Sequence, residues 1–362
     1  MIKPCEADDA AKSFQVDGEF LGAEPFGSGH INDSYRAVFR QGSSERHFLV
    51  QRINTRVFTD PAALMRNMER VTEHIARLVQ AVPDHDRRVL ALIPSRNGRT
   101  FHFDARGSCW RMMRFIQGAG ARERIDSPQQ AFQIAAAFGR FQQQLANLPP
   151  PRLEDTIPDF HNTPKRFEAL ERAIELDDAN RAQFAAPEIV FALTRKAMAT
   201  VLLDARLPER IAHNDTKSSN VLLDEQTGEG LCVIDLDTVM PGLALYDFGD
   251  MVRSMASPAA EDERDLSRVS AQFPVFEALA RGYLASAGDL LTAREKQFIA
   301  FSGKLITFEN GLRFLSDYLS GDRYYKVHRA GHNLDRCRAQ FKLVESLERQ
   351  EERMNRFVET LA

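Results

Sequence analysis

Apolar and polar residues alternate along EFLGAEPFGSGHINDSYRAVF (19–39) and RHFLVQRI (46–53), with glycine-containing turns among them. A period of two predicts half-buried antiparallel strands. The period then lengthens. In DPAALMRNMERVTEHIARLVQ (60–80), Leu64, Met68, Val71, Ile75 and Leu78 recur at helical spacing, with Asp60 placed to cap and Pro61 suited to the first helical position. RTFHFDARGSCWRMMRFIQG (99–118) reads as another hairpin, and its exit near Ile116 to Gly118 marks the expected division between residues 1–117 and 118–362.

Beyond that point the pattern is mostly helical. SPQQAFQIAAAFGRFQQQLANL (127–148) starts on a capping Ser127 and lines up Phe132, Ala135, Phe138, Phe141 and Leu145. PPPRLEDTIPDFHNTPKRF (149–167) breaks the helix with its prolines, but its apolar Ile157, Phe160 and Phe167 predict an ordered excursion rather than a loose linker. Helices resume after residue 255 and run to the end. The expected fold class is therefore α+β and bilobal: a small antiparallel-sheet lobe followed by a larger, mainly helical one. Clefts between such lobes are where ligands usually bind.

Composition narrows the partners. At 362 residues, 43% hydrophobic and 27% charged, with a net charge of −4, the chain has no basic excess and no Lys/Arg-rich run. Nucleic acid and anionic membrane are poor partners for such a surface, and no obligate protein partner is implied. The start MIKPCEADDA is acidic where a signal peptide would be apolar, and no apolar run approaches the roughly 20 residues of a spanning helix, so a cytoplasmic location is expected. Cys5, Cys109, Cys232 and Cys337 lie far apart, which predicts reduced, isolated thiols with Cys232 in the core.

The chemistry concentrates in HNDTKSSNVLLD (213–224) and LCVIDLD (231–237), two short apolar strands joined by EQTGEG. A hairpin brings its two termini together, so Asn220 and Asp235 should be neighbours. Strand alternation would put Asp235 and Asp237 on one face. Carboxylates and a carboxamide converging near Asp215 are what phosphoryl transfer needs: an aspartate to orient the attacking hydroxyl and oxygens to hold Mg²⁺. His213, Asp215 and Asn220 reproduce the spacing of the kinase loop H-R-D-L-x-x-x-N, and Lys217 is placed to offset phosphate charge. The DFG at 247–249 is read differently: Asp247 lies a further loop downstream and is suited to capping the helix FGDMVRSM or bracing the loop. In the first lobe, FGSGHIND (26–33) carries Gly27 and Gly29 in a turn that lets backbone amides approach a phosphate.

These residues carry a resemblance. HNDTKSSN, VIDLDTVMPG and YDFGDMVRS resemble the aminoglycoside phosphotransferase and choline kinase superfamily, which has a protein-kinase-like fold. FGSGHIND, QRINTRVF with LMRN, WRMMRFI, FHNTPKRF, GLRFLSDYL and GDRYY together resemble the N-acetylhexosamine 1-kinases along nearly the whole chain. The resemblance implies transfer of the γ-phosphate of ATP, with Mg²⁺, to the anomeric hydroxyl of GlcNAc or GalNAc. It also implies Asp215 as base, Asn220 and Asp235 as magnesium ligands, and His30, Arg313 and Tyr324 as sugar contacts. One departure is plain: where kinases carry a lysine on the third strand, FLVQRIN offers Gln51 and Arg52, of which at most one can face the cleft. Arg52 would bring charge to the nucleotide, with Glu69 or Glu73 available to pair with it or to form ordinary surface pairs. Kinases of other sugars, aminoglycosides or amino alcohols share the same motifs. A nucleotide or sugar sensor would not need the aspartate.

Overall fold

Both predicted strand pairs form, because alternating residues have two different faces to cover. The protein is described by a computed structural model over residues 4–27 and 31–361. Helix α1 (Pro4–Lys12) leads into strands β1 (Glu19–Pro25), β2 (Asp33–Gln41) and β3 (Ser44–Ile53), then helix α2 (Pro61–Val79) and strands β4 (Phe101–Phe103) and β5 (Cys109–Arg114). They make one antiparallel sheet in the order β1-β2-β3-β5-β4. Tyr35, Ala37, Phe39, Phe48, Val50, Trp110 and Met112 cover one face against Ala7, Ala10 and Phe14. Residues of opposite parity, among them Ile53, Cys109 and Met113, cover the other against α2.

Asp60 caps α2, accepting from the Ala63 amide at 2.9 Å. Leu64, Met68, Val71 and Ile75 are buried as expected, but Leu78 is 53% exposed. Val79 takes its place. The last step of the stripe is four residues rather than three, and this turns Val79 toward Phe141 and Leu231 of the second lobe.

The second lobe comprises β6 (Ala119–Gly120), α3 (Pro128–Leu145), α4 (Thr163–Leu176), α5 (Ala186–Thr194), α6 (Val201–Asp204), β7 (Arg210–Ala212), β8 (Val221–Asp224), β9 (Gly230–Val233), β10 (Met240–Gly242), α7 (Ala244–Met255), α8 (Phe273–Ala287), α9 (Ala293–Gln297), α10 (Ile299–Leu319) and α11 (His332–Glu359). The predicted hairpin is β8–β9, extended by β6, while β10 pairs with β7. The 149–167 excursion is ordered and buries Leu153 and Phe167. We propose to divide the lobes at 117/118, where the chain passes from the sheet to the helices. One apolar cluster nevertheless spans the division: Ile53, Met65, Met68 and Cys109 pack with Phe141, Leu231, Cys232 and Leu236. Each such side chain contributes about 1.5–3 kcal/mol when buried, so the floor of the cleft is firm.

Helix α7 sits hard against α10, and the approach is set by Gly249. A Cβ there would stand 2.5 Å from the Ser302 carbonyl oxygen and 2.6 Å from Ile306 Cγ1. Overpacking against backbone costs about 1–3 kcal/mol, and the upper end exceeds the gain of about 1 kcal/mol in helix propensity on losing glycine. Gly249→Ala is therefore expected to lower stability, read as a fall in urea midpoint at unchanged m-value. A variant as stable as the wild type would refute this account of the α7–α10 contact.

Candidate active site

The loop between β7 and β8 is built around a buried carboxylate. Asp247, in the first turn of α7, is wholly buried. Its Oδ2 accepts from the His213 amide at 3.0 Å and from Gln142 Nε2 at 2.7 Å, and its Oδ1 accepts from the Asn214 amide at 2.7 Å. The Asp247 carbonyl accepts from Thr216 Oγ1 at 2.6 Å. Burial pushes the Asp247 pKa up, and the donated hydrogen bonds work against that push. Of the two roles suggested by its position, capping and bracing, the geometry is that of a brace: Leu243, not Asp247, is the cap position of α7. Asn214 is held at φ 65°, a left-handed conformation that asparagine tolerates. His213 Nδ1 accepts from the Asp215 amide at 3.3 Å, so its Nε2 carries the proton donated to the Ile234 carbonyl at 2.9 Å. The histidine thereby ties the loop to the end of β9.

On this frame Asp215, Lys217 and Asn220 converge. Asn220 Nδ2 donates to the Asp215 carbonyl at 2.8 Å and to Asp215 Oδ2 at 3.0 Å, and Lys217 Nζ stands 3.0 Å from the same Oδ2. Asn220 Oδ1 has no protein partner among the described residues. Burial alone would raise the Asp215 pKa, but Lys217, with His213 and Arg253 behind it, outweighs burial and brings the value down to about 2. Lys217 is correspondingly raised. Such an aspartate is fully ionised at neutral pH, a strong hydrogen-bond acceptor and a weak base.

Asp235 lies across the hairpin end, where the Ile234 amide donates to the Asn220 carbonyl at 2.9 Å. Its carboxylate opens to solvent yet is crowded by protein. That crowding, and then Asp237, raise its pKa to about 6. It makes no ion pair or hydrogen bond among the described residues. The expectation that Asp235 and Asp237 share a strand face is corrected. β9 ends at Val233, Asp235 turns left-handed at φ 60°, and Leu236–Thr238 form a 3₁₀ turn. Asp237 is consequently buried, where Arg111 Nη1 and Asn32 Nδ2 donate to it, the latter at 2.6 Å.

The third strand presents Gln51, not Arg52, to this side. Gln51 shares a face with its cross-strand partner Arg111, whose Nε donates to Gln51 Oε1 at 2.9 Å. Arg52 lies on the opposite face, paired with Asp33 at 2.6 Å, and contacts neither Glu69 nor Glu73. Arg52 is thus not brought together with Asp215. Gly27 is left-handed at φ 81°, a conformation suited to glycine, and among the described residues nothing lies within 4 Å of where its Cβ would stand. Gly29 and His30 lie outside the described residues.

Beneath the loop, His161 bridges Glu309 Oε1 at 2.8 Å and the Asn214 carbonyl at 3.1 Å, and Thr163 Oγ1 donates to Glu309 Oε2 at 2.6 Å. One turn along α10 from Glu309 stands Arg313. Its guanidinium lies 5.2 Å from the Phe160 ring and 5.8 Å from the Tyr325 ring. It has no hydrogen bond or ion pair among the described residues. Tyr324 is 61% exposed, its ring 4.8 Å from that of Tyr325. The segment carrying both tyrosines is folded by Asp317, which accepts from the amides of Arg323, Tyr324 and Tyr325 at 2.9, 2.8 and 3.0 Å. Through Glu309 and His161, α10 is joined to the Asn214 carbonyl next to Asp215, so Arg313, one turn further along α10, lies on the same side of the loop.

The sequence profile of the Phosphotransferase enzyme family matches residues 22–281. The chain belongs to that family. Among solved structures, an aminoglycoside phosphotransferase from Alicyclobacillus acidocaldarius aligns at a TM-score of 0.60 and 14% identity, covering 98% of this chain and 97% of its own. A spectinomycin phosphotransferase in complex with ADP and spectinomycin gives 0.59 and 13%, over 97% and 99% of the two chains. A microcompartment-associated aminopropanol kinase gives 0.58 and 17%, over 98% and 99%. At such identities the likeness is one of fold, and the fold is the expected protein-kinase-like one. Among the described residues, no helix of this phosphotransferase is long and apolar enough to cross a membrane.

Sequence reasoning missed the buried partners: Gln142, His161 and Glu309 under the loop, Asn32 and Arg111 against Asp237, and Asp317 behind the tyrosines. The available signal was a charge inside an apolar run, as with Arg111 in CWRMMRF and Glu309 in ITFENGL. The His161–Glu309 pair of this phosphotransferase has a testable pH signature. Burial would lower the His161 pKa, but Glu309, helped by Asp250 and the Asn214 carbonyl, turns the net shift upward. Burial would raise Glu309, but His161, helped by Thr163 and Arg313, turns the net shift downward. The histidine contribution to stability is therefore complete below about pH 6.5 and lost as pH rises through its folded pKa. The glutamate contribution is complete above about pH 4.5 and lost as pH falls. Urea denaturation across pH 5–9 should show an alkaline decline that His161→Gln removes, while His161→Ala should cost about 3–5 kcal/mol near pH 6. An alkaline slope unchanged in His161→Gln would acquit the pair.

Proposed function

We propose that this phosphotransferase is a small-molecule kinase that transfers the γ-phosphate of ATP to the anomeric C1 hydroxyl of an N-acetylhexosamine, giving the 1-phosphate and ADP. The observation that carries the reading is the Asp215–Lys217–Asn220 cluster facing Asp235, which has no ion pair among the described residues. Asp215 orients the acceptor hydroxyl and takes its proton late, as the bond from the γ-phosphorus to the bridging oxygen of ADP breaks and the bond to C1 oxygen forms. An anomeric hydroxyl is more acidic than an ordinary alcohol, which suits so weak a base. Lys217 keeps Asp215 ionised and offsets charge on the moving phosphoryl group.

The donor set fits magnesium. Asn220 Oδ1 and the Asp235 carboxylate are hard oxygen ligands without other partners among the described residues, and two of them leave the remaining positions to water and phosphate, as this ion prefers. When bound, it neutralises charge on the nucleotide phosphates. Gly27 and Gly29 would bring backbone amides to those phosphates; Arg52, turned to the far face, is left out of that role.

The acceptor assignment rests on the resemblance and on charge. Arg313 is a guanidinium among Phe160, Tyr324 and Tyr325 with no ion pair among the described residues, and Arg166 is close enough to act on it. Such a pocket disfavours the cationic acceptors of an amino-compound kinase and suits a neutral sugar, whose apolar ring face stacks on aromatics and whose hydroxyls accept from arginine. His30, Arg313 and Tyr324 are the proposed sugar contacts.

The test is ³¹P NMR with ATP, Mg²⁺ and either GlcNAc or GalNAc, with aminopropanol, choline and spectinomycin as competing acceptors. A sugar 1-phosphate signal is expected from the wild type and should fall by at least a hundredfold in Asp215→Asn, with nucleotide affinity changed much less. Phosphate appearing on an amino acceptor while both sugars stay unmodified would reject the sugar assignment and retain the kinase.

A further inference from the structure

The third strand lacks the lysine that kinases use to join the nucleotide phosphates to a neighbouring helix. Gln51 stands in its place, and the structure gives Gln51 a different task. Its Nε2 donates to Ser34 Oγ at 2.9 Å and its Oε1 accepts from Arg111 Nε. The cation has moved one strand over. Arg111 is 1% exposed, and besides Gln51 it reaches Asp237 through Nη1 and lies 3.5 Å from Met68 Sδ of α2.

Asp237 is a junction of three segments. Its carboxylate receives Arg111 from β5 and Asn32 from the end of the glycine turn, and its carbonyl accepts from Thr156 Oγ1 of the excursion at 2.8 Å. Asn32 in turn accepts from the Asn54 amide at 2.9 Å, after β3. Asp237 is itself two residues beyond Asp235. Helix α2, which packs on the sheet, is also hydrogen-bonded to the second lobe: Asn67 donates to the Glu154 carbonyl at 2.7 Å and the Val239 carbonyl at 3.3 Å and accepts from the Glu154 amide at 3.0 Å.

We propose that Arg111, paired with Asp237, is a positioning residue that replaces the third-strand lysine: it locks Asn32 at the start of β2, β5 and the Asp235 segment into one nucleotide-binding frame. The inference rests on the nucleotide reading above. In kinases the lysine acts on the phosphates directly. Here the buried guanidinium acts through Asp237, so the frame is assembled before nucleotide arrives. Burying both partners leaves each dependent on the other, because an orphaned charge in that place is strongly unfavourable.

The experiment is a double-mutant cycle of Arg111→Met and Asp237→Asn, with Arg111→Lys and Arg111→Met/Gln51→Lys beside it. Calorimetric affinity for Mg·ADP, KM for Mg·ATP and KM for the acceptor are measured on each, with thermal melts to confirm folding. Arg111→Met is expected to weaken Mg·ADP binding and raise KM for Mg·ATP by at least tenfold, with acceptor KM within twofold. The double variant should be no worse than the worse single variant, since the two side chains act as one unit. A lysine at 111 or at 51 should recover part of the loss, less than arginine because its ammonium makes no planar fork. A folded double variant with wild-type affinity for Mg·ADP and wild-type KM for Mg·ATP overturns the proposal. So does a loss confined to melting temperature and kcat, which a merely structural pair would give. If the wild type binds Mg·ADP and the variants follow the expected pattern but no acceptor is phosphorylated, the kinase reading falls and this inference stands; if the wild type does not bind Mg·ADP, both fall.

Discussion

A carboxylate sealed from water must have its charge met by donors, and Asp247 meets that demand with the backbone of the neighbouring loop. Its two oxygens take the amides of residues 213 and 214, and the shape of the loop follows. Lys217 and Asn220 can meet at Asp215 only because the chain leaves β7 through this bend. The brace rides on α7, which reaches its depth because Gly249 lets it touch α10. α10 in turn carries Glu309 and Arg313. One buried charge thus connects the loop, two helices and the far wall of the cleft.

Charge matching across the site is uneven in an informative way. Asp215 is matched by Lys217, Asp237 by Arg111 and Glu309 by His161. Among the described residues, Asp235 has no such partner on one side of the cleft and Arg313 has none on the other. A folded chain leaves charges unmatched at a cost, so the unmatched ones point to what the cleft takes in. The carboxylate suits a cation carried with a polyphosphate. The guanidinium suits a neutral acceptor rich in oxygen.

The sequence made legible whatever depended on local periodicity. The strand pairs, the capped helices at Asp60 and Ser127 and the 220–235 hairpin follow from alternation, spacing and turn residues, and so does the proximity of Asn220 to Asp215. The reading failed where a strand stopped sooner than its pattern. Ile234 and Leu236 look like strand residues, but the left-handed Asp235 breaks the alternation and sends Asp237 inward. Parity alone could not choose between Gln51 and Arg52, because both strand faces are covered and only the position of Arg111 on β5 distinguishes them. Arg111 finds Asp237 126 residues away, His161 finds Glu309 148 residues away and Asp317 takes its amides across a turn, and no local pattern announces such pairings.

The cluster that crosses the lobe division has a bearing on cooperativity. Ile53, Met65 and Cys109 come from before residue 117, and Phe141, Leu231, Cys232 and Leu236 from after it, and all belong to one apolar cluster. Severed at the connector, each half would carry an open flank of what is now interior. The base of the cleft is therefore interior that residues from both sides of the connector build together. Where many two-lobed proteins have a hinge, this one has a keel.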